Sequence, residues 1–348
     1  MSDRGGAAHP LVELTLARLR EFLREPEAIF WVFAFPILLA LALGIAFRSK
    51  GDAVVHVGVR DGPGAPPLVD ALSRARGLEA RLVPADRVDL ALRDGEVELV
   101  VVPGSPPAYR LDPTRTESRL ARLAVDEALQ RASGRQDRWS ASEERVTLPG
   151  SRYIDWFIPG LLGVNIMGTS LWSVGYAIVQ ARTRKLLKRL IATPMGRDHY
   201  LLSYLLARLM FLALEVTPLL LFGWLVFGVP VRGSLVSLAV VAFLGAASFG
   251  GIGLWIASRA RTVEAVSGLM NAVSVPMWVL SGVFFSSANF PAAMQPVIHA
   301  LPLTALNDAM RAIMLDGDSI LALGREGAVL AAWGGVSFVA ALKTFRWQ

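Results

Sequence analysis

Apolar residues gather in long runs along this chain, and a helix needs about 20 of them to cross a hydrocarbon layer roughly 30 Å thick. Segments Ala28 to Phe47, Phe157 to Ala181, Ser234 to Ala257 and Ala265 to Phe285 contain no Asp, Glu, Lys or Arg, and His199 to Val231 contains only Arg208 and Glu215. The run Gly327 to Leu342 is shorter and reaches spanning length only by extending upstream past Arg325 and Glu326. The pattern predicts an α-helical polytopic membrane protein with six transmembrane helices: 28–47, 153–181, three within 199–285, and 320–342. The first run exceeds the core of a signal peptide and follows 27 residues, so it reads as an anchor.

Between 48 and 152 the pattern changes. Val55, Val57 and Val59 alternate, as do Leu78, Ala80 and Leu82, and Leu99 to Val102 is a continuous apolar run. Leu68 to Ala75, Asp86 to Arg93 and Glu117 to Arg131 have helical spacing, the last two closed by Gly95 and Gly134. The order strand, helix, strand, helix, strand, strand, helix predicts a small α/β domain inserted between the first two spans. His56 is its only histidine, which assembles neither a metal site nor a Ser-His-Asp set, so a structural or gating role fits it better than an enzymatic one.

Two further stretches are amphipathic. Within residues 1–27, Leu11, Val12, Leu16, Leu19, Phe22 and Leu23 share one face, opposite Glu13, Arg20, Glu21, Arg24 and Glu25. In the loop 182–198, Leu186, Leu187, Leu190 and Ile191 share a face, opposite Arg182, Arg184, Lys185, Lys188 and Arg189, and Pro194 ends the pattern. Either helix can rest on anionic membrane lipid or dock a cytoplasmic partner.

Charge fixes the orientation. With the N-terminus inside, the cytoplasmic segments carry 14 basic residues and the short outside loops only Arg232, Arg311 and Arg325. The positive-inside rule therefore places both termini (1–27 and 343–348) in the cytoplasm, the domain 48–152 outside, and 286–319 as an external loop with short helices. The long loop holds 17 basic and 16 acidic residues, so the net charge of +6 sits at the membrane edges and not on a nucleic-acid-binding face. Composition agrees: 348 residues are 53% hydrophobic and 18% charged, and the absence of cysteine removes thiolate sites and disulfides.

A charge at the bilayer centre costs about 2.5 to 3.5 kcal/mol even on the lenient insertion scale, so intramembrane polar residues face protein or a cavity. Arg208 and Glu215, seven apart, share a face; Arg208 is expected to snorkel toward the cytoplasmic end, leaving Glu215 as the informative residue. Glu215 suits either an interhelical hydrogen bond or a translocation-path or proton-coupling group. Asn165 and Asn271 are candidates for the same path, or polar glue between helices. No G-x-x-x-x-G-K-[ST] loop occurs, so the chain lacks that means of binding ATP and presents no enzyme site.

Several stretches resemble one family. Arg24-Glu25-Pro26 with Phe35-Pro36, Thr193-Pro194 with Tyr200-Leu201-Leu202, and above all Leu280-Ser281-Gly282-Val283-Phe284-Phe285, Phe290-Pro291, Leu301-Pro302-Leu303-Thr304 and Asp308-Ala309-Met310-Arg311 are similar to ABC-2 type transporter permeases. The resemblance implies a bacterial inner-membrane exporter subunit, acting as a dimer with a second permease half and driven by a separate ATP-binding cassette ATPase that would hold the ATP and Mg. It further implies that Arg182, Arg184, Lys185, Leu186, Leu187, Lys188, Arg189, Leu190, Ile191, Thr193 and Pro194 form the ATPase-coupling helix. That helix is more basic here than the acidic, Gly-Thr-containing stretch usual in the family. The rival classes are a membrane receptor, which needs fewer spans, and an ion-coupled secondary transporter, which predicts internal repeats that the chain does not show.

The charge bias makes a direct expectation. Reporter fusions after Arg138 and Asp318 should lie outside the cytoplasm, and those after Arg189 and Arg261 inside; a cytoplasmic reporter at Arg138 would overturn the orientation.

Overall fold

A computed structural model describes residues 24–47, 54–136, 142, 150–183, 197–260 and 262–344. The amphipathic helix expected before residue 24 and the segment 184–196 lie outside the described residues. The chain forms two compact units, one of Met1–Arg48 with Thr147–Gln348 and one of Ser49–Val146.

The smaller unit is α/β. Its strands β1 (Val55–Arg60), β2 (Leu78–Val83), β3 (Leu99–Val102) and β4 (Ala108–Arg110) form a sheet of order β2-β1-β3-β4. The first three run parallel, with Val57 opposite both Ala80 and Leu99, while β4 pairs antiparallel to β3 through Tyr109 and Val101. Alternation sets the two faces: Val57, Val59, Leu99 and Val101 bury with Leu72, Ala121 and Val125. Leu72 lies on helix α2 (Ala65–Ser73), and Ala121 and Val125 on α4 (Thr116–Ala132). Val83, Val97 and Val100 pack with Val88 and Ala91 of the short α3 (Val88–Arg93) on the other face. His56 is exposed on the central strand β1, its Nδ1 3.1 Å from Glu79 Oε2 and its backbone N–H donating to Glu98 Oε2 at 2.7 Å.

The larger unit is helical. Helix α1 runs Pro26–Ile29, a π-helical stretch Phe30–Ala34, and Phe35–Ala46. It is followed by α5 (Tyr153–Thr183), α6 (Arg197–Phe227), α7 (Leu235–Arg259), α8 (Val263–Leu280), the short α9 (Gln295–Ala300) and α10 (Pro302–Arg311), and α11 (Gly324–Thr344). Five of them, α5, α6, α7, α8 and α11, are long and apolar enough to cross a membrane, and Phe30–Ala46 is a shorter apolar helix. Local chemistry sets several ends. Ser234 and Thr262 cap α7 and α8 by accepting from the N–H of Val236 and Ala265, each at 3.2 Å. Gly228, at φ +65°, closes α6 in the left-handed conformation as its N–H reaches Trp224 O and that of Val229 reaches Gly223 O. At the start of α5, buried Asp155 accepts from the backbone of Gly150 and from the Arg152 guanidinium at 2.6 and 3.0 Å.

Helix α5 is the centre of this unit, touching α1, α6, α7, α8 and α10. Phe157, Ile158, Leu161, Leu162, Ile166, Met167 and Leu171 are all buried along it. Close approach to α7 depends on Gly253, where a Cβ would lie 2.5 Å from the carbonyl oxygen of Leu171.

One detail differs from the sequence pattern. The apolar run through Phe285 outlasts its helix, because α8 stops at Leu280 and Gly282 turns the chain at φ +68°. Short helices do occur within 286–319, and one of them, α10, is buried along nearly its whole length against α5, α7 and α11. At the last span, α11 does extend upstream through Arg325 and Glu326, charges that sit in its first turn where exposure is cheapest.

Gly253→Val should therefore cost about 1–3 kcal/mol through overpacking and lower the midpoint of thermal unfolding in detergent. Gly168→Ala on α5, where no atom lies within 4 Å of the new Cβ, should leave it unchanged or raise it. Equal midpoints for the two variants would show that the α5–α7 approach carries no packing constraint.

Candidate functional site

Midway along α5 and α6 the helices share a polar centre. Arg208 and Glu215, two turns apart on α6, form an ion pair at 3.1 Å with side chains only 19% and 3% exposed. The same Arg208 Nη2 donates across to α5, to the Ser170 hydroxyl in a short hydrogen bond and to Thr169 Oγ1 at 3.4 Å. Thr169 in turn donates back to the carbonyl of Asn165 at 2.9 Å. The Asn165 amide donates to Val32 O at 3.1 Å, within the π-helical stretch of α1. One chain of polar contacts thus joins α1, α5 and α6 at membrane depth.

This placement changes the reading of Arg208. Instead of snorkelling toward the helix end, it stays beside Glu215, because an unpaired carboxylate there costs far more than bending one arginine stem. Asn165 and Glu215 belong to one contiguous group, whereas Asn271 lies on the exposed flank of α8 and has no part in it. Of the proposed coupling residues, 184–194 fall outside the described residues, and Arg182 lies in the last turn of α5.

A second centre sits at the N-terminal end of α5. The Arg311 guanidinium lies 3.6 Å from the Trp156 ring centroid, a cation–π geometry. It donates to Gly282 O in a short hydrogen bond and to Trp156 O at 3.3 Å, with Asp308 3.5 Å away. Trp156 Nε1 donates to the same Gly282 carbonyl at 3.2 Å, and Asn307 donates to Ser281 O at 3.0 Å. Glycines on α5 make the room: a Cβ at Gly160 would come 2.9 Å from Arg311 Nη2, and one at Gly163 would collide with the Asn307 side chain. Burial pulls the Arg311 guanidinium down to about 10, against the attraction of Asp308, so it stays charged at neutral pH; burial pushes the Asp308 carboxyl up.

Sequence reasoning counted Arg311 as an exposed loop charge and left Trp156, Thr169, Ser170 and Asn307 unremarked. The available signal was spacing, since Asn307 and Arg311 are four apart on one helix face and Asp308 precedes Arg311 by three.

Apart from Val32 of α1, both centres fall within a match to a known family. The family model described as ABC-2 type transporter matches residues 122–315, more than half of the chain. The chain is 29% identical over 164 residues to the Escherichia coli (strain K12) protein named probable multidrug ABC transporter permease YbhS, covering 46% of this chain and 43% of that one. It is 24% identical over 194 residues to inner membrane transport permease YhhJ of the same strain, covering 55% and 52%. It is 28% identical over 173 residues to ABC transporter G family member 20 of Dictyostelium discoideum, covering 49% and 23%. The chain thus spans about half or less of the length of these relatives.

The α5–α6 centre predicts a strong non-additivity. Arg208→Ala should destabilise by about 3–5 kcal/mol by leaving Glu215 buried and unpaired, while the double variant Arg208→Met with Glu215→Leu should regain most of that loss. Thermal unfolding in detergent checks it; a double variant as unstable as the sum of its singles would show the pair is not a unit.

Proposed function

Because the chain belongs to the ABC-2 type transporter family, we propose that it is the permease subunit of an ATP-driven exporter in a bacterial inner membrane. The carrying observation is the family match over 122–315, which takes in α5, α6, α7, α8 and α10 and, apart from Val32, both polar centres. In this reading α1 serves as a sixth span beside the five longer helices, and the unit Ser49–Val146 stands outside the membrane as a structural or gating domain. Two permease halves, identical or related, enclose the path. A separate cassette subunit binds ATP and Mg and supplies the free energy of hydrolysis.

The chain's own residues would couple to that energy through the segment between α5 and α6. Coupling requires the ATPase states to bind the permease states with different affinity, since a partner that binds both equally shifts nothing. The amphipathic sequence pattern there, Leu186, Leu187, Leu190 and Ile191 against five basic residues, would give such a partner both an apolar anchor and a charged rim. Glu215 and Asn165, joined through Thr169 and Arg208, are the polar groups best placed to contribute to the path between the helices. Five span-length helices beside α1 favour this transport reading over a receptor, which needs fewer spans.

Purified alone, the chain should turn over no ATP above background; activity should appear on adding a cassette subunit. Leu187→Asp with Ile191→Asp should then abolish co-purification with the cassette, because burying two carboxylates costs several kcal/mol, while membrane insertion is unaffected. Lys185→Gln with Lys188→Gln should leave the complex nearly intact if those charges serve lipid, at about 1 kcal/mol each. Full co-purification and transport by the Asp variant would demote the helix to a segment resting on lipid.

A further inference from the structure

The sheet of the smaller unit ends in an open edge. Strand β2 is outermost in the order β2-β1-β3-β4, with β1 on one side of it and, among the described residues, no strand on the other. The N–H groups of Val55 and Asp61 reach Gly77 O and Val83 O. In a parallel ladder this turns the backbone groups of Glu79, Arg81 and Val83 toward β1 and those of Leu78, Ala80 and Leu82 away from it. The Leu78 N–H is held by Ala75 O at 3.4 Å; the N–H groups of Ala80 and Leu82 and the three outward carbonyls meet no group of the described residues. Such a row is a template for a further strand.

The charges on β2 select which strand. Glu79 and Arg81 lie two apart on one face of the sheet, with side chains 68% and 51% exposed. A row of one sign would repel other chains, but one acid and one base at this spacing attract a second copy in a single register. When two identical strands pair antiparallel, a two-fold axis relates them. Centred on Glu79 or Arg81, the axis sets that residue opposite its own copy, like charge against like charge. Centred on Leu82 or Val83, it brings Pro84, which has no N–H, opposite Ala80 or Leu82. Centred on Leu78, it runs into the left-handed turn at Gly77, φ +78°. An axis between two residues sets an outward-turned residue against an inward-turned one and makes no ladder.

Centred on Ala80, every requirement is met. Ala80 exchanges both main-chain hydrogen bonds with its counterpart, and the Leu82 N–H reaches the Leu78 carbonyl on each side of the axis. Glu79 stands opposite Arg81 twice, at the about 4.5–5.5 Å Cβ separation of directly opposed residues. The new pairs extend contacts that each copy already has, since Arg81 holds Glu96 at 2.7 Å and Glu79 lies 3.1 Å from His56. Leu82, 49% exposed, comes opposite Leu78 on the helix-covered face. We propose that two copies of this chain join through β2, antiparallel about Ala80, so that one sheet runs through both. This rests on the reading that two permease halves act together, and takes the halves to be identical.

Because the chain contains no cysteine, Ala80→Cys installs its sole thiol. The Cα atoms of a hydrogen-bonded antiparallel pair lie about 5.5 Å apart, inside the disulfide range of about 4.4–6.8 Å. In membranes of cells expressing the full chain, treated with copper phenanthroline, Ala80→Cys should give several-fold more covalent dimer than Leu82→Cys. Leu82 is more exposed on the same edge, but in this register its own copy lies four residues, or about 14 Å, along the strand. Adding Arg81→Glu to Ala80→Cys should remove the excess by setting carboxylates opposite each other, and adding Glu79→Arg as well should restore it. Native mass spectrometry of the unaltered chain gives its oligomeric state. A dimeric chain in which Ala80→Cys cross-links no more than Leu82→Cys overturns the pairing and leaves the two-half reading standing. A monomeric chain overturns the pairing and leaves that reading only a related, non-identical half. Cross-linking that survives Arg81→Glu, or that the charge swap fails to restore in a folded chain, overturns the register.

Discussion

Hydrocarbon offers a buried charge nothing, so every charged or hydrogen-bonding group that α5 and α6 carry to membrane depth must be met by the protein itself. Arg208 meets this constraint for several groups at once. Its guanidinium neutralises Glu215 on its own helix and donates to Ser170 and Thr169 on the neighbour. The desolvation of the pair is costly, and the extra hydrogen bonds are what make its burial tolerable. Since Thr169 leans on the carbonyl of Asn165 and Asn165 reaches Val32, the same constraint reaches α1. The arrangement of three helices thus follows from the need to house one carboxylate.

Helix α5 has the composition of a hub and not of a lipid-facing span. It holds large buried residues such as Phe157, Ile166 and Leu171, yet also Asn165, Thr169 and Ser170. It thins at Gly160 and Gly163, which give way to Arg311 and Asn307. At that end the organising group is again a cation. Arg311 collects the carbonyls of Gly282 and Trp156 and the face of the Trp156 ring, joining the turn after α8 and the short α10 to the start of α5. The carbonyl of Gly282, and through Asn307 that of Ser281, are thereby satisfied in the turn after α8, as buried backbone demands.

The spans were legible because their signal is local. Twenty apolar residues declare themselves whatever they pack against, and the alternation at Val55, Val57 and Val59 did the same for the sheet. The family likeness was also legible, and its most specific run, Leu280 to Arg311, maps onto the turn after α8 and onto α10. What did not show in the sequence were relations between distant residues. Arg311 reads as a loop cation until Trp156, 155 positions away, supplies its partner. Arg208 reads as free to snorkel until Ser170 and Thr169 are brought alongside. Nothing in the spacing of Asn271 separates it from Asn165, yet one ends on an exposed flank and the other in the polar centre.

The position of the α5–α6 centre bears on how motion at the proposed coupling segment would travel. Ser170 lies 13 residues before the last described residue of α5, Thr183, and Arg208 lies 11 residues after the start of α6 at Arg197, so the centre is about 17–20 Å from that segment. A force applied there could separate the two helices or move them together. Separating them would pull Arg208 from Ser170 and Thr169 in a low-dielectric interior, where Coulomb and hydrogen-bond terms are least screened. Moving them together leaves those contacts intact and shifts the load to the apolar approach of α5 to α7, while Arg311 and its partners hold α10 to the start of α5. A displacement taken up between residues 183 and 197 would therefore pass through α5 and α6 as one body, carrying α1 with it through Asn165, and would be felt against α7.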